Sequence, residues 1–413
     1  MIRKRLLQEE LENTILSRPV VYLKGPRQVG KSTLVQNLNI KNTSYISFDS
    51  PLILESAKSD PAAFIKSLNK NFLVILDEIQ LVPEIFRYLK IEVDQARQQG
   101  KNQALFLLTG SANLLALPTL SNALVGRMSV LELYPFSASE YFSSNKNFIT
   151  DFFESEFSVS KVEKYNLLDV IKYSTFPEIA LDNKINRIKW FDDYLITIIQ
   201  RDVKTLSDIR NPEKIITLLS VLSQRPGALV NDSALASDVG LDRKTYEKYK
   251  ASILNTFLAF EVKPWSTTNN YKKRFIKSPK IYFTDTNMLT YIMRRDINEI
   301  AKNDPRVFGY IFENFVATEI LKQASIIPEV NFYHFRTTKG KEVDFVIEKN
   351  NGDIIAIEAK AASSINSDDF KGLLELQSIT QGKFKKGIVL YNGDEIVPFG
   401  KNFWAVPVDK LWQ

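Results

Sequence analysis

The first third of the chain alternates short apolar runs with segments of helical periodicity. Continuous apolar runs at residues 20–23, 72–76 and 104–108 predict three strands that are buried on both faces. After the first run, apolar residues such as Leu34 and Leu38 recur at helical spacing. Strands that alternate with helices predict an α/β fold built on a parallel sheet.

The pattern changes after Phe136, where strands give way to amphipathic, aromatic-rich segments. Residues 145–160 are polar, contain phenylalanines and lack Gly and Pro, which predicts an irregular or helical bridge. Residues 190–206 place apolar side chains at helical spacing and end in a polar pair, Arg201 and Asp202. We therefore expect the first domain to end near this change of pattern.

The next region has the pattern of a winged helix-turn-helix. Its expected features, in chain order, are a helix at 214–224, a cap at Asp232 and Ser233, a helix at 234–239, a turn at Gly240, a cap at Asp242, a helix at 243–257, and strands at 260–262 and 280–283. Cations are concentrated on the third helix and between the strands, at Arg243, Lys244, Lys248, Lys250, Lys272, Lys273, Arg274 and Lys277. Such a cluster can neutralise DNA phosphates. Winged helices also bind proteins, and a charge run is also typical of a solvated face.

The C-terminal region places acidic residues on predicted strands. Its expected elements are a helix at 310–323, strands at 342–347 and 354–360 joined by a turn at 350–353, a helix near 370–378 and a strand at 387–391. Asp344 lies on the first strand of the pair, and Glu358 and Lys360 lie on the second. Residues two apart on a strand face the same side, so Glu358 and Lys360 are expected to lie together.

Composition limits the classes of protein that this chain can be. At 413 residues it is long enough for two or three domains, and 44% hydrophobic with 25% charged residues is typical of a globular protein. It has no cysteine and one histidine, His334, which excludes disulfides, thiolate zinc sites, cysteine nucleophiles and sites built on several imidazoles. The net charge of +6 and the pI near 9.0 permit nucleic-acid binding without requiring it.

The location of the protein is predicted from its termini and apolar runs. No apolar stretch approaches the length of a membrane span. Residues 1–5 lead into a glutamate-rich segment, not into the apolar core of a signal peptide. Together with the absence of cysteine, which fits a reducing compartment, this predicts a cytoplasmic protein with no membrane partner.

A phosphate-binding loop directly follows the first predicted strand. Its residues are Gly25, Pro26, Arg27, Gln28, Val29, Gly30, Lys31, Ser32 and Thr33. A strand that ends in a glycine-spaced turn and then begins a helix presents backbone N–H groups to an anion. In this motif Lys31 reaches the β- and γ-phosphates and Ser32 can ligate Mg²⁺. A chance match is the alternative, but the motif lies between a strand and a helix, so it predicts ATP or GTP binding.

Asp77 and Glu78 follow the second predicted strand and form the acidic half of a nucleotide site. In this position Asp77 would hold Mg²⁺ through water, and Glu78 would polarise the water that attacks the γ-phosphate. The alternative is that the pair only begins a solvated loop. The third strand ends in Thr109, Gly110 and Ser111, which are expected beside the pair because ligands bind at the carboxyl ends of strands in open α/β sheets.

These motifs resemble those of the AAA+-like P-loop ATPases, in particular a bacterial and archaeal family that joins such a domain to a C-terminal region of uncharacterised function. The matching segments are residues 25–33, 76–80, 108–111, 126–127 and 133–137. The resemblance implies ATP and Mg²⁺ as cofactors, Ser111 in the strand that senses the γ-phosphate, and Arg127 as an arginine finger. A structural ion pair is an equal alternative for Arg127. The preference for ATP over GTP is implied by the resemblance. The guanine-specific motif N-K-x-D is not present in the sequence.

The C-terminal pattern resembles the core of the PD-(D/E)xK nuclease superfamily. The resemblance implies that Asp344 and Glu358 hold one or two Mg²⁺ ions and that Lys360 positions or helps to deprotonate the attacking water. A further acidic ligand would come from Glu313, with Glu319 as the second choice. The proline that often precedes the aspartate is absent. The alternative is a satisfied ion cluster without catalysis.

Four parts are therefore expected along the chain. They are a P-loop ATPase domain at 1–142, a helical bridge at 143–212, a winged helix-turn-helix at 213–298 and a restriction-endonuclease-like α/β domain at 299–413. The predicted fold is thus an AAA+-like parallel sheet followed by a helical and winged-helix region and a second α/β domain.

Two functions fit these motifs. The first is an ATP-hydrolysing machine whose nucleotide state controls a DNA-binding or nuclease-like module. The second is a nucleotide-dependent switch or scaffold that binds protein partners and has an inactive nuclease-like domain. Both require a coupling free energy between nucleotide and partner sites.

The expected partners follow from the same residues. DNA contact is expected through Arg243, Lys244, Lys272, Lys273 and Arg274. The other expected partner is a protein or a second copy of the chain, since an arginine finger that acts in trans demands a neighbouring subunit.

Overall fold

The computed structural model describes residues 3–100, 104–111, 126–144, 146–203, 209, 211–266, 278–337 and 339–413. Four cations predicted to contact DNA or to lie beside it, Lys272, Lys273, Arg274 and Lys277, lie outside the described residues. Within the described ranges, no helix is both long and apolar enough to cross a bilayer.

The first sheet has five parallel strands in the order β2-β3-β4-β1-β5. They are β1 Val20–Lys24, β2 Thr43–Ser47, β3 Leu73–Asp77, β4 Phe106–Gly110 and β5 Met128–Glu132. The three central strands are buried along their whole length, which accounts for their continuous apolar sequences. The predicted parallel α/β sheet is confirmed, and the carboxyl ends of its strands meet at one edge.

Helices cover this sheet, make up most of the bridge that follows it and continue through the rest of the chain. In chain order they are α1 Leu7–Ser17, α2 Lys31–Gln36, α3 Pro51–Ser59, α4 Pro61–Ser67, α5 Ile85–Gln98, α6 Ala138–Phe142, α7 Phe148–Glu154, α8 Leu167–Tyr173, α9 Pro177–Leu181, α10 Arg187–Thr197, α11 Glu213–Ser223, α12 Asp232–Val239, α13 Arg243–Asn255, α14 Thr286–Ile292, α15 Ile297–Asn303, α16 Pro305–Ala324 and α17 Lys371–Thr380. A π-helical segment, Ile198–Val203, continues α10.

The second sheet has nine strands in the order β6-β13-β14-β12-β11-β10-β9-β7-β8. They are β6 Ser160–Lys161, β7 Ala259–Pro264, β8 Lys280–Phe283, β9 Val330–Arg336, β10 Glu342–Lys349, β11 Ile354–Lys360, β12 Phe384–Tyr391, β13 Glu395–Pro398 and β14 Phe403–Pro407. β10 and β11 are antiparallel, which confirms the hairpin predicted at 350–353, and β11 pairs parallel with β12.

Two segments that precede residue 299 extend this second sheet. β7 pairs antiparallel with β8 and parallel with β9, so the hairpin of the predicted winged helix continues into the C-terminal sheet. β6, from the helical bridge, pairs with β13 at the opposite edge. Regions that the sequence separates into three parts therefore share one sheet.

The three helices α11, α12 and α13 lie where the sequence predicts them. The prediction of a cap at Asp232 and Ser233 was wrong. The cap of α12 is Asn231, whose side chain accepts a hydrogen bond from the backbone N–H of Ala234 and so satisfies the helix start one residue earlier. The predicted turn at Gly240 (φ +66°) and the cap at Asp242 are confirmed. The identity of this segment as a winged helix stays a prediction.

The apolar core connects the two sheets. One cluster contains Leu23 of β1, residues of α8 and α10, and Ile355 and Ile357 of β11. A second cluster lies between the opposite face of the first sheet and α5. A third lies between the second sheet and α17. Because the first cluster is continuous, the nucleotide-site sheet and the C-terminal sheet pack together through the bridge.

Candidate functional site

The loop between β1 and α2 has the backbone that phosphate binding requires. Gly25 (φ +156°) and Gly30 (φ +90°) adopt conformations that other residues rarely take. A Cβ on Gly25 would lie 2.1 Å from the carbonyl oxygen of Leu133, so only glycine fits against the chain that leaves β5. Gly30 is followed directly by α2, so the loop leads into a helix N-terminus.

Lys31 is buried beneath this loop. Its ammonium group donates hydrogen bonds to the carbonyl oxygens of Gly25 (2.9 Å) and Pro26 (2.7 Å). Burial lowers the pKa of Lys31 to about 8. The hydrogen-bond partners of this ammonium group are neutral carbonyls, and the carboxylates of Glu78 and Asp77 act on it only from farther away and offset burial in part, so an anion in the loop would stabilise the charge.

Asp77, at the end of β3, lies beside the loop. The hydroxyl of Ser32 donates to it at 3.0 Å, and the hydroxyls of Tyr45 and Thr109 donate as well, Tyr45 at 2.5 Å. A carboxylate and a serine hydroxyl in contact form an oxygen donor set of the kind that Mg²⁺ prefers. The residues present therefore fit the Mg²⁺ that was predicted at Ser32 and Asp77.

Glu78 follows with a left-handed backbone conformation (φ +59°), which is uncommon for a residue with a side chain. Burial raises the pKa of Glu78. The side-chain amide of Gln80 donates to Glu78 and to the hydroxyl of Ser111 at 3.0 Å. The structure thus brings Ser111 and Glu78 together through Gln80, whose role sequence reasoning did not assign.

The helical bridge closes the other side of the nucleotide site. A cavity of about 730 Å³ is lined by the loop, by Glu78 and by bridge residues that include Trp190, Tyr194 and Arg201. Arg27 in the loop forms a two-pronged ion pair with the buried carboxylate of Asp202, at 2.8 Å. The sequence places Asp202 only in a polar pair with Arg201, and nothing in the local pattern indicates a contact 175 residues away.

A smaller cavity adjoins the loop on the side of the N-terminal segment. It measures about 270 Å³ and its lining is mostly apolar. Its walls include Arg3, Val29, Phe136, Pro177 and Leu181. The two cavities share Gly30, Thr33, Pro177 and Glu178, so they meet at the loop.

Arg127 is not among the residues that line the nucleotide cavity. It precedes β5, and Met128 pairs with Val20 at the start of β1, whereas the phosphate-binding loop follows the end of β1. Its guanidinium forms an ion pair with Asp94 of α5 at 2.5 Å. Within one chain Arg127 therefore lies at the amino-terminal ends of the strands, whereas the loop lies at their carboxyl ends.

A second cleft lies beside the C-terminal sheet. It has a volume of about 860 Å³, and its walls include Glu313, Asp344, Glu358 and Lys360, all four of which were predicted as site residues. Asp344 and Glu358 are one step beyond the register pair Phe345 and Ile357 and so face each other across β10 and β11. Glu313 reaches them from α16. The sequence prediction that these side chains converge agrees with the geometry.

Lys280 of β8 lies within the same group of carboxylates. Its ammonium is 3.1 Å from Glu313, 2.7 Å from Glu342 and 3.2 Å from Asp344, and its side chain is 3% exposed. Although burial by itself lowers it, the pKa of Lys280 is raised well above its usual range by the acidic groups around it. Sequence reasoning missed Lys280 and Glu342. The only available signal was a lysine at the start of the apolar strand β8.

Glu358 is the least satisfied carboxylate of this cleft. One of its oxygens contacts Lys360 at 3.2 Å, and the other is buried without a hydrogen-bond partner among the described residues. Burial raises the pKa of Glu358 well above its usual range, and the carboxylate of Asp344 adds to the shift. Burial likewise raises the pKa of Glu313 to about 7.

The predicted Mg²⁺ does not fit the cleft as these side chains are arranged. Lys280 contacts the oxygens that Glu313 and Asp344 would offer, and the other Asp344 oxygen accepts the backbone N–H of Ala359 at 3.1 Å. In the described ranges, no group of three or more acidic or histidine side chains is arranged to hold a metal ion. The catalytic roles predicted for Asp344, Glu358 and Lys360 therefore gain no support from a metal site.

Glu319, the second choice for an acidic ligand, lies elsewhere. It is fully buried, accepts the backbone N–H of Ala138 at 2.9 Å and pairs with Lys322 at 3.0 Å. Lys322 in turn donates to the carbonyl of Phe136 at 2.9 Å. Glu319 therefore joins α16 to the segment that follows β5 and does not face the cleft.

The cations of the predicted recognition helix differ in their surroundings. Lys244 and Lys248 are exposed on α13. Arg243 is paired with Glu247 at 3.0 Å, and Lys250 lies between Asp232 and Glu261. Part of the positive charge on this helix is therefore compensated within the protein.

The chain matches three known sequence families, one after another. Residues 17–142 match an AAA domain. Residues 165–303 match a domain of unknown function, DUF8612, and residues 308–411 match another, DUF4143. The N-terminal region is thus an AAA-type P-loop ATPase domain, in agreement with its strand order and its loop.

Two uncharacterised mycobacterial proteins are similar over the full length. One is from Mycobacterium tuberculosis and the other from Mycobacterium bovis, and each is 25% identical over 100% of this chain and 85% of its own length. The combination of regions therefore also occurs in these two proteins.

The matches to solved structures are weaker. RuvB of Thermotoga maritima is 19% identical, with 66% of this chain and 91% of that chain covered and a TM-score of 0.28. The Aeropyrum pernix ORC1 protein in complex with DNA is 10% identical, with 73% and 94% covered and a TM-score of 0.28. At these TM-scores the similarity carries no conclusion about this chain.

Proposed function

We propose that this protein is an ATP-hydrolysing switch whose nucleotide state is passed through the helical bridge to a DNA-binding C-terminal part. One observation carries the proposal. Lys31, Ser32 and Glu78 line one cavity, Asp77 contacts Ser32, and residues of the bridge form the opposite wall of the cavity. Nucleotide binding in that cavity would contact both parts at once.

Each residue of the cavity has a distinct task in this proposal. Lys31, held 5% exposed under the loop, would move its hydrogen bonds from the carbonyls to phosphate oxygens. Ser32 and Asp77 would hold Mg²⁺, which supplies positive charge to the β- and γ-phosphates. Glu78 would orient and polarise the attacking water. Gln80, whose amide donates to both Glu78 and Ser111, would couple the positions of these two side chains.

The adjoining apolar cavity is suited to the nucleoside. Its lining of Val29, Phe136, Pro177 and Leu181 matches the flat apolar faces of a base, whereas the loop matches the charge of the phosphates. Since Pro177 and Leu181 belong to α9, the bridge would contact the base as well as the phosphates.

Two buried polar links would pass the nucleotide state onward. The first is the ion pair between Arg27 and Asp202, which a γ-phosphate would compete for because Arg27 lies 4.0 Å from Glu78 in the same cavity. The second joins Lys322 of α16 to Phe136, next to the end of β5. Both links connect the AAA domain to later parts of the chain.

The decisive experiment is ATP turnover by the full chain with Mg²⁺, with and without short duplex, single-stranded and branched DNA. Turnover that is stimulated by DNA supports the switch. We expect Lys31→Ala to reduce turnover about a hundredfold or more, because the phosphate charge loses its partner. Lys58→Ala, which removes an exposed lysine of α3, is the matched control and should leave turnover unchanged. Full turnover in Lys31→Ala would contradict the nucleotide-site assignment.

DNA contact is tested separately by fluorescence anisotropy of a labelled duplex at several salt concentrations. Combined alanine substitutions of Lys244, Lys272, Lys273 and Arg274 should weaken binding and reduce its salt dependence, by about one unit of slope for each phosphate that is no longer neutralised. Unchanged affinity would remove these residues from the proposal.

The protein-binding switch is the second candidate function. The contacts of Lys280 favour it, because they leave the nuclease-like cleft without a metal site and so without its predicted chemistry. Turnover that ignores DNA, together with absent DNA binding in both nucleotide states, would select this candidate over the first.

A further inference from the structure

We propose that the ammonium group of Lys280 is the resident cation of the C-terminal carboxylate cluster and takes the place of a divalent metal ion. The cluster is defined as Glu313, Glu342 and Asp344, whose oxygens lie within 3.2 Å of the lysine nitrogen. The inference concerns the second cleft alone and goes beyond the proposed ATPase function.

The Lys280 ammonium group occupies the position between carboxylates that a metal ion would take. Three carboxylates come from two different elements, α16 and β10, and meet at the ammonium group of a side chain that is 3% exposed. Glu342 is partly exposed and also pairs with Arg336 at 3.4 Å, whereas Glu313 and Asp344 are more buried and share Lys280 as a positive partner. A buried carboxylate without a positive partner is costly, so these two depend most on the lysine. An ammonium group with three N–H donors can bond one oxygen of each.

Lys280 is held in this position by the backbone around it. It lies on β8, opposite Val262 of β7, and forms an isolated bridge with Leu229. Two residues further along the same strand face, the hydroxyl of Tyr282 donates to Glu313 at 2.6 Å. These contacts hold the strand that carries Lys280 against the cluster.

Gly227 shows that the surrounding chain is adapted to this arrangement. Its φ of +75° is in the left-handed region, and a Cβ there would lie 2.7 Å from the Glu313 oxygen that Lys280 contacts. The chain that precedes α12 thus approaches the cluster closely on one side. The cation is supplied by the predicted winged-helix part, whereas the carboxylates come from the C-terminal part.

A divalent ion held by Glu313 and Asp344 would need the oxygens that Lys280 contacts. Two positive centres within a few ångströms repel each other strongly in a buried site. Metal binding and the Lys280 contacts are therefore mutually exclusive, and the wild-type cleft has no affinity for Mg²⁺ or Mn²⁺ beyond that of an exposed surface. The wild-type protein accordingly does not cleave DNA by a metal-dependent route in this cleft.

The test is calorimetric titration of Mn²⁺ into nucleotide-free full-length protein, with Asp344→Asn made in each background. The part of the binding that Asp344→Asn removes reports the C-terminal cleft alone, because the nucleotide site is the same in both members of each pair. We expect no such part in the wild type. We expect Lys280→Met, which frees the carboxylates, to gain a saturable site at least about tenfold tighter than any wild-type binding, and Asp344→Asn to remove it.

Two further variants keep the test decisive. Lys280→Gln retains a hydrogen-bond donor without the charge and is used for the same gain if Lys280→Met does not fold. Lys360→Met removes a lysine that contacts Glu358 but not the cluster, and it should gain no site. A wild-type Mn²⁺ site that Asp344→Asn abolishes would overturn the proposal, and so would a folded Lys280→Met or Lys280→Gln protein that gains no site. ATP turnover measured on the same samples reports separately on the proposed function.

Discussion

A buried lysine lies beside each of the two clefts of this molecule, and the two lysines have opposite electrostatic environments. Both lysines are almost fully buried. The partners of Lys31 are backbone carbonyls, and burial lowers its pKa to about 8. Lys280 is surrounded by carboxylates, and its pKa is raised well above the usual range despite its burial.

The environment of each lysine determines the charge of the ligand that its cleft favours. In the first cleft the hydrogen bonds of the lysine go to neutral carbonyls, and the nearby carboxylates of Glu78 and Asp77 offset its burial only in part, so the site favours an incoming anion such as a phosphate. In the second the charge is already matched by the protein itself. The same residue type therefore makes one site receptive and the other closed, and the partner atoms decide which.

The largest expected effect is a loss of ATP turnover in the first cleft. Glu78→Gln should reduce ATP turnover by about a hundredfold or more, because an amide cannot accept the proton of the attacking water. Nucleotide binding should remain, since Lys31, Ser32 and Asp77 are unchanged. Turnover and the affinity for a fluorescent ATP analogue are measured on the same samples. A loss of affinity equal to the loss of turnover would show that Glu78 acts in binding instead.

The next effect compares the lysines directly. Lys280→Met should lower the free energy of unfolding by about 3 kcal/mol, because it leaves buried carboxylates without a cation. Lys31→Met should leave the stability of the nucleotide-free protein unchanged or higher, because it removes a buried charge whose folded pKa lies below its unfolded value. Denaturant unfolding followed by circular dichroism measures both. Equal losses in the two variants would remove the distinction between the clefts.

A smaller effect concerns pH, and it arises in the C-terminal sheet, where the single histidine lies. Burial lowers the pKa of His334 from 6.5 to about 4. Between these values the unfolded chain binds a proton that the folded protein does not, so stability is complete above pH 6.5 and decreases as the pH falls towards 4. From about pH 7.5 to about pH 5 this group alone should cost about 2 kcal/mol.

The matched variant for this prediction is His334→Gln, which cannot take up the proton. Its unfolding free energy should depend less steeply on pH than that of the wild type over the same range, by the amount that His334 contributes. Parallel pH profiles of the two proteins would show that the histidine is not kept neutral by the fold.

The smallest expected effect concerns Arg127. Its ion pair with Asp94 is partly exposed, so Arg127→Ala should change stability by less than about 1 kcal/mol. We expect its ATP turnover to stay within about twofold of the wild type, as for the Lys58→Ala control. A loss of about a thousandfold, measured at protein concentrations that favour assembly, would instead identify Arg127 as an arginine finger supplied to a neighbouring subunit.

Much of the first cleft is determined by local sequence. The glycine spacing, Lys31 and Ser32 lie within one turn between a strand and a helix, and Asp77 ends a strand that is recognisable from its continuous apolar run. Parallel strands bring such ends to one edge of the sheet, so neighbouring motifs could be placed together without the structure. The three central strands of the first sheet, the helices of the predicted winged helix and the β10–β11 hairpin were accessible because their apolar patterns and turn residues are local.

The tertiary structure alone decided which groups those residues meet. Asp202 contacts Arg27 across 175 residues, and Lys280 meets Asp344 across 64 residues. The local periodicity of the sequence does not predict such contacts. They depend on how β8 continues the second sheet and on how the bridge packs on the loop. The sequence by itself determined a nucleotide-binding loop and a set of carboxylates. Only the fold decided that one buried lysine lies against carbonyls and the other against carboxylates, and the charge of each cleft follows from that placement.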